Sequence, residues 1–371
     1  MENKNFIKID YANLNVQYQN YKKSIDEAIF KVLNNSKFIM GEEVQKLEQN
    51  LEKFTGVNHA ITCSSGTDAL LLALMAMDIQ PNDEVITTPF TWISTSETIA
   101  LLKAKPVFVD IEPDTFNIDV NLIENAITKN TKAIIPVSLF GQPADMDHIQ
   151  KIANKHNLKV IIDGAQSFGS KYKNKTDSNL GDISITSFFP TKPLGCYGDG
   201  GAVFTNNDDY AKKIKMLRVH GQIKKNYHKY IGIGGRMDTI QAAILLAKLV
   251  YFPEELKDRK KVADRYTHSL LNNVKTPIIK PDRFSTWAQY TIRVNDRDKF
   301  RQNLEKQGIP SSVFYPVPLH LQDCFQYLGY KKDDFTVSKK ASEEVVSIPM
   351  NPFLTDDQIN YVVSKILDNI Q

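Results

Sequence analysis

The sequence predicts an α/β protein with a mainly parallel central sheet and a smaller C-terminal α+β lobe. From about residue 60, short runs rich in Val and Ile alternate with amphipathic stretches. Such alternation is typical of a parallel sheet that is covered by helices on both faces. Beyond about residue 250 the chain becomes more charged and the alternation less regular. We therefore predict a large domain over 1–250, including an N-terminal segment, and a small α+β domain over 251–371.

The elements follow from local patterns, taken in chain order. A first helix is predicted over 42–54, where Val44, Leu47, Leu51 and Phe54 share one face. Buried strands are predicted at 83–88, 105–110, 132–140, 159–163, 183–189 and 202–205, with helices between them at 120–127 and 147–156. A buried helix over 237–252, a long exposed helix over 255–266 and the small-lobe segments 287–294, 298–308 and 311–318 complete the prediction.

Composition excludes several classes of protein. Of the 371 residues, 42% are hydrophobic, and 46 Lys and Arg nearly balance 43 Asp and Glu. A net charge of +3 gives no electrostatic basis for binding nucleic acid or a membrane surface. The three isolated cysteines suggest neither zinc nor disulfides. No stretch resembles a signal peptide or a membrane span, so we expect a soluble cytoplasmic protein.

The segment 64–74, SSGTDALLLAL, predicts a small-residue turn that leads into an apolar helix, with Thr67 as its cap. Free backbone N–H groups at a helix start form a natural phosphate site. An ordinary capped helix remains the alternative. The segment has neither the Gly-Lys-Ser/Thr of a Walker A loop nor GxGxxG.

Asp163 stands where the apolar run KVIID ends, and Gln166 follows it in GAQSFG. A carboxylate that abuts a buried strand is costly unless a positive or protonated group faces it. A protonated heterocyclic nitrogen would be one suitable partner. A helix N-cap is the competing interpretation of this aspartate.

Lys192 follows a hydrophobic strand within SFFPTKPLGCYGDGGA, over 187–202. Its neighbours are aromatic residues, prolines and glycines rather than charges. A lysine in such surroundings has a lowered pKa and acts as an amine nucleophile. A solvated surface lysine is the alternative.

The joint occurrence of these three features favours pyridoxal 5′-phosphate as cofactor. Its phosphate requires a helix terminus, its ring nitrogen a carboxylate and its aldehyde a lysine. Trp92, in a Thr-rich turn after a predicted strand, is a candidate aromatic plate for the ring, although interior packing is the commoner role of tryptophan.

These motifs together resemble the DegT/StrS nucleotide-sugar aminotransferases, from IMGEEV near residue 40 to SIPMNPFL near residue 350. The resemblance also covers DEVITTPFTW, KAIIPVSLFGQPADMD and GRMDTIQAAIL. It implies a fold-type I, aspartate aminotransferase-like PLP enzyme that works as a homodimer with shared active sites.

By this resemblance Lys192 is the Schiff-base lysine and proton shuttle, and Asp163 keeps the pyridine nitrogen protonated. Gln166 is the partner of the cofactor's phenolic oxygen. The remaining cofactor contacts are Gly66, Thr67 and Ser187 at the phosphate and Trp92 on the ring. Family members that carry histidine at the lysine position are dehydratases, so Lys192 favours transamination.

Two positions depart from the family pattern. GIGGRMD has Gly234 where the family commonly has an asparagine that reaches the neighbouring subunit's cofactor phosphate. Loss of that hydrogen bond is expected to weaken the phosphate contact by ~1 to 3 kcal/mol. FYPVPLH has Phe314 where similar uronic-acid enzymes carry histidine. Arg236 and Tyr315 remain candidate substrate contacts.

The resemblance implies transamination from L-glutamate to a nucleotide-linked ketosugar. The sequence is most similar to enzymes that aminate C3 of UDP-linked 2-acetamido-3-keto sugars, especially the glucuronate form. Because Phe314 cannot pair with a carboxylate, the sugar without the acid is a close alternative. Amination at C4 of a 4-keto-6-deoxy sugar is the next one. A dehydratase-like enzyme or a regulatory binder of the same fold is the alternative from another class.

Overall fold

The computed structural model describes residues 7–370. The strands are β1 (His59–Cys63), β2 (Glu84–Thr87), β3 (Lys105–Phe108), β4 (Thr131–Ile134), β5 (Lys159–Asp163), β6 (Lys171–Tyr172), β7 (Lys175–Thr176), β8 (Ile183–Ser187), β9 (Gly201–Thr205), β10 (Gln222–Lys224), β11 (Tyr227–His228), β12 (Arg283–Phe284), β13 (Tyr290–Arg293) and β14 (Val345–Ile348). The α-helices are α1 (Leu14–Asn35), α2 (Glu42–Thr55), α3 (Gly66–Ala76), α4 (Ser94–Leu101), α5 (Val120–Ile123), α6 (Met146–His156), α7 (Asp208–Leu217), α8 (Thr239–Leu249), α9 (Phe252–Leu270), α10 (Arg297–Lys306), α11 (Thr336–Glu344) and α12 (Asp356–Asp368).

The central sheet has seven strands in the order β1-β9-β8-β5-β4-β2-β3. Neighbours from β8 to β3 pair in parallel, whereas β9 is antiparallel to both β1 and β8. Each of the six predicted strands overlaps a strand of this sheet. The predicted α/β class with a mainly parallel sheet is therefore confirmed. Strand β1 is not predicted from the sequence, because HAITC is short and lacks a run rich in Val and Ile.

Both faces of the sheet are buried, as parallel topology requires. Along β5, Ile161 joins the core formed with α3, whereas Val160 and Ile162 join the core formed with α6. The alternating side chains of one strand thus fill two separate cores. This burial leaves the carboxyl-terminal edge of the sheet as the place where strand-end side chains can face a ligand.

Helix α9 connects the large core with the core of the C-terminal region. Its first turns bring Phe252 and Leu256 into the apolar cluster around α2 and α8, and its later turns bring Val262 and Tyr266 into the cluster around β13 and β14. The predicted exposure of this helix is wrong, because one face of it is buried throughout. The domain boundary at residue 250 stays a prediction, since side chains just after it pack into the large core.

Within the described range 7–370, no helix combines the length and the apolar character that crossing a bilayer requires.

Candidate active site

A cavity of about 420 Å³ lies at the carboxyl ends of the parallel strands. It is lined by residues that the sequence places far apart. Among the predicted site residues, those that line it are Gly66, Thr67, Trp92, Asp163, Gln166, Ser187, Lys192 and Tyr315. The structure therefore brings every predicted cofactor residue to one place. Arg236 lies outside this cavity.

One end of the cavity is formed by the start of α3. Ser65 caps this helix by accepting a hydrogen bond from the Asp68 N–H at 3.0 Å, so the predicted cap at Thr67 is wrong by two residues. The Gly66 and Thr67 N–H groups have no acceptor among residues 7–370. Two free N–H groups at the positive end of a helix suit a phosphate.

Ser187, at the end of β8, lies opposite the free Gly66 and Thr67 N–H groups and forms the other wall of the candidate phosphate site. A Cβ atom at Gly66 would come within 2.7 Å of the Ser187 Cβ, which shows how closely the two backbones approach. The Ser187 Oγ accepts from the Phe189 N–H at 3.3 Å, so its own proton stays available to an anion. The Thr67 hydroxyl lies 2.7 Å from that of Ser94, which itself donates to Glu97. Thr67 is thus left to contact a phosphate through its backbone N–H.

This close approach predicts a selective effect of Gly66→Ala. The added methyl group would overlap Ser187, and forced overpacking typically costs about 1–3 kcal/mol. We expect the dissociation constant for pyridoxal phosphate to rise about tenfold or more, as measured by absorbance titration of the cofactor-free protein. Gly198→Ala is the matched control, because its methyl group would meet the flexible Gln241 side chain and lies outside the cavity. Unchanged cofactor affinity in Gly66→Ala would refute the phosphate assignment.

At the other end, Asp163 is 5% exposed and carries two hydrogen bonds. The Thr95 hydroxyl donates to its Oδ2 at 2.7 Å and the Ala165 N–H donates to its Oδ1 at 3.1 Å. Burial nevertheless raises the pKa of this carboxyl, because the charged form loses hydration. A cationic ring nitrogen in the cavity would reverse that effect by pairing with the carboxylate.

A second buried carboxyl lies behind Asp163. Asp177 is 1% exposed and accepts a hydrogen bond from Ser167. Burial raises the pKa of Asp177 to about 6, with a further contribution from repulsion by Asp163. Asp177 does not line the cavity. Asp163 and Asp177 are therefore both buried carboxyls with raised pKa values, but only Asp163 can contact a ligand in the cavity.

Lys192 extends from the turn after β8 into the same cavity. Its backbone N–H donates to the Phe189 carbonyl at 2.9 Å, which fixes the turn, and its amine has no hydrogen-bond partner among residues 7–370. Burial lowers the pKa of this amine, and the opposing attraction of Asp163 is the smaller effect. A lowered pKa favours the neutral amine, which is the nucleophilic form.

Gln166 and Tyr315 form a polar wall between these two ends. The Phe140 N–H donates to the Gln166 Oε1 at 2.8 Å, and the Gln166 Nε2 donates to the Tyr315 hydroxyl at 3.0 Å. The backbone donor fixes the orientation of the amide, so one N–H of Nε2 is left to face the cavity. Trp92 is 60% exposed at the rim, and its ring centroid lies 6.3 Å from that of Tyr315.

The GIGGRMD segment is held beside the site but does not enter it. The Ser64 N–H donates to the Gly235 carbonyl at 3.0 Å, which connects this segment to the turn before α3. Arg236 is half-buried and has no ion pair among the described residues. At Gly234 a Cβ atom would lie 3.1 Å from the His220 Cε1. An asparagine here would therefore press on the His220 ring.

Several cavity residues were not predicted from the sequence. Gln289 and Asp199 line the cavity, and Thr95 lies behind its wall as the nearest hydrogen-bond partner of Asp163. Thr95 lies in the Thr-rich segment TTPFTWIST, in which Trp92 is the only residue that the sequence predicts to contact the cofactor. Gln289 comes from the C-terminal region and carried no local signal.

The cavity thus offers a separate partner to each polar part of pyridoxal phosphate, and the surrounding fold is that of the fold-type I, aspartate aminotransferase-like enzymes. The protein is a PLP-dependent transaminase of this class. The family model described as "DegT/DnrJ/EryC1/StrS aminotransferase family" matches residues 19–367, and the chain belongs to this family. The predicted family and cofactor are confirmed.

Three curated relatives match almost the whole chain. The UDP-2-acetamido-2-deoxy-3-oxo-D-glucuronate aminotransferase of Pseudomonas aeruginosa is 46% identical, over 96% of this chain and 99% of the relative. A protein of Geobacillus stearothermophilus named "Pleiotropic regulatory protein" is 44% identical, over 97% and 98%. The UDP-N-acetyl-3-dehydro-alpha-D-glucosamine 3-aminotransferase of Acidithiobacillus ferrooxidans is 37% identical, over 96% and 97%.

Solved structures agree with this assignment. A DegT DnrJ EryC1 StrS aminotransferase from Brucella abortus has a TM-score of 0.95 and 38% identity, covering 98% of this chain and 99% of that one. A Bacillus subtilis protein solved with bound cofactor PMP has a TM-score of 0.91 and 31% identity, covering 100% of this chain and 87% of that one.

Proposed function

We propose that this transaminase transfers the amino group of L-glutamate to C3 of a UDP-linked 2-acetamido-2-deoxy-3-keto-hexose or hexuronate. One observation carries the proposal: the free Lys192 amine and the buried Asp163 carboxyl line one cavity in a chain that is 46% identical to a UDP-sugar 3-aminotransferase. The second UDP-sugar relative, at 37% identity, acts on a 3-keto sugar as well, according to its name.

The proposed roles follow from the positions of the side chains. The cofactor, when bound, supplies an electron sink for the carbanion at the substrate carbon. Asp163 holds the proton on the pyridine nitrogen, which requires the carboxylate form. Lys192 would hold the cofactor through its aldehyde, and its amine would serve as the base and acid that moves a proton at the substrate carbon.

The shared wall of Gln166 and Tyr315 orients the ring. Gln166 Nε2 donates its remaining N–H to the phenolic oxygen, while its other N–H stays on the Tyr315 hydroxyl. Burial strongly raises the pKa of Tyr315, so this hydroxyl stays protonated and donates to the sugar. Trp92 covers one face of the pyridine from the rim.

The nature of C6 depends on the charge of the cavity. Lys192 is the single cationic side chain among its described lining residues, and Phe314 contributes an aromatic ring. A C6 carboxylate therefore finds no cation other than Lys192 among the described residues that line this cavity. An uncharged 3-keto-hexose fits this wall, whereas a hexuronate requires a positive group from outside this cavity.

A second copy of the chain is the proposed source of that group. Arg236 lies outside its own cavity without an ion pair among the residues described, so it is free to reach a neighbour's site. Several large apolar side chains on the same molecule are also exposed, including Phe30 at 60%, Phe38 at 45% and Ile39 at 53%. A homodimer with shared active sites would cover such side chains and deliver Arg236.

A comparison of ketosugars tests the substrate. We expect turnover on UDP-2-acetamido-3-keto-glucose or its uronate, each generated in situ, and at least about tenfold slower turnover on a dTDP-4-keto-6-deoxy sugar, since a misplaced ketone loses its alignment. Mass spectrometry of the aminated product is the measurement. Phe314→His should raise the uronate-to-hexose ratio of kcat/KM. Faster turnover on the 4-keto sugar would overturn the C3 assignment.

A further inference from the structure

A second chamber of about 210 Å³ adjoins the active-site cavity on the side of the N-terminal segment and α9. Thr191, Lys192, Gln289 and Phe314 line both spaces, so Lys192 stands at their junction. The far wall of the chamber contains Arg259, from the middle of α9. A ligand in this chamber would therefore lie within reach of the reactive amine.

Arg259 is 6% exposed, yet most of its donors are unused. Its Nη1 donates to the Trp287 carbonyl at 3.2 Å and contacts that of Met350 at 3.5 Å, whereas its Nε is buried without a partner. No carboxylate among residues 7–370 comes within 4 Å of the guanidinium. Burial of a cation without an adjacent anion is unfavourable, so this site calls for an anionic ligand.

The nearby charges do not cancel this cation. Glu255, one turn earlier on α9, accepts both of its side-chain hydrogen bonds from Gln17 Nε2, at 2.9 and 3.2 Å. Lys248 is also buried there and donates to the Gly195 carbonyl. Two buried cations thus share one buried carboxylate, which leaves a net positive charge beside the chamber.

The other polar atoms that line the chamber indicate which kind of anionic ligand it can bind. The Gln289 Oε1 is buried without a partner at the junction with the active site, and the Tyr11 hydroxyl lines the chamber beside Ser312 and Ser347. Arg259 Nε can only donate, and a Gln289 carbonyl oxygen can only accept. A simple anion would satisfy the first and leave the second unpaired. An α-amino acid has both a carboxylate and an ammonium group, and so it matches both ends of the chamber.

We propose that this chamber is the amino-donor subsite, in which Arg259 and Tyr11 bind the donor's carboxylate and Gln289 directs its amino group toward Lys192. The inference deepens the proposed transamination and rests on it. It assigns Arg259, Tyr11 and Gln289 to donor binding, while the sugar occupies the larger cavity.

Separate measurement of the two half-reactions tests this assignment. In the donor half-reaction the PLP form is mixed with L-glutamate, and in the acceptor half-reaction the PMP form is mixed with the 3-keto sugar. We expect Arg259→Lys to raise the half-saturating L-glutamate concentration about tenfold, since lysine cannot reproduce the guanidinium geometry. Tyr11→Phe should raise it about threefold, the effect of one lost hydrogen bond. The acceptor half-reaction should change by less than about twofold in both variants.

The matched control is Arg265→Lys, on the partly exposed face of the same helix, where the arginine pairs with Asp356. Both half-reactions should stay unchanged in it. If Arg259→Lys does not fold, Tyr11→Phe decides alone. Equal loss in both half-reactions, or unchanged donor saturation in a folded variant, would overturn the proposal, because Arg259 would then serve the fold only.

A binding measurement separates this proposal from the proposed function. Calorimetry of the PLP-bound protein with α-methyl-L-glutamate, which has no α-proton to lose, reports donor binding without turnover. Binding that weakens in Arg259→Lys and Tyr11→Phe supports the subsite even if no ketosugar is aminated. Unaltered binding in both variants contradicts the subsite even if transamination is established.

Discussion

Lys192→Ala should give a folded protein that no longer holds pyridoxal phosphate covalently and no longer transaminates. The amine it removes is the one unpartnered lysine nitrogen that the described cavity contains. A positioned acid–base group contributes about 10²–10⁴-fold to rate, so turnover should fall by at least that factor. The measurements are the visible absorbance of the bound cofactor, the glutamate-to-ketosugar turnover rate, and mass spectrometry of the peptide labelled after borohydride reduction.

Lys171→Ala is the control for this variant. Lys171 is an exposed lysine on β6, so its loss should leave absorbance and turnover unchanged. A Lys192→Ala protein that kept both properties would show that another amine carries the cofactor. A wild-type protein that remained colourless with added pyridoxal phosphate would contradict the whole site.

Asp163→Asn is expected to keep the fold and lose most of the activity. The amide has nearly the same shape but cannot hold a proton on the pyridine nitrogen, which weakens the electron sink. Removal of one preorganised electrostatic partner typically costs about 10²–10³ in kcat. Cofactor affinity should fall less than kcat, because the phosphate end and Lys192 are untouched. Single-turnover kinetics of the L-glutamate half-reaction would measure the loss.

Asp177→Asn is an unusually close comparison. Both aspartates are buried carboxyls with raised pKa values, but Asp177 lies outside the cavity. Its replacement should leave kcat within about threefold of wild type. Burial raises the pKa of the Asp177 carboxyl from 3.8 to about 6, so the folded state holds this proton more tightly than the unfolded state does. The free energy of unfolding therefore falls as pH rises from 3.8 through about 6. Asp177→Asn should therefore be the more stable protein at pH 7.5, as judged by urea unfolding. Similar kcat losses in the two variants would show that general acidity of this region, rather than contact with the ring, controls the rate.

Much of this fold could be predicted from the sequence because parallel strands are buried on both faces. Such burial leaves an unmistakable pattern of Val and Ile, as in KVIID of β5. The edge strand β1 is different, since its pairing with β9 is antiparallel and its composition is mixed. The partial burial of α9 is not evident from its sequence, because Glu255 and Arg259 are buried charged residues of types that usually face solvent. The burial of a charged residue can be predicted only when the residues that pack against it from distant segments are known.

Site residues that stand at the ends of strands could be predicted from the sequence. Those that reach the site from distant segments could not. Asp163, Gln166 and Lys192 each end a strand or follow one closely, so their positions at one sheet edge follow from topology. Thr95 precedes Asp163 by 68 residues, and only the folded sheet brings their side chains to 2.7 Å. The cap of α3 is Ser65 rather than Thr67 because the helix already begins at Gly66, so that Thr67 lies within its first turn.

The continuous path of α9 through both apolar cores has a mechanical consequence. A helix whose two ends pack into separate apolar clusters ties the orientations of those clusters together. Any change in their relative orientation must then bend this helix or slide along it, and Arg259, near its middle, lines the chamber that Lys192 also lines.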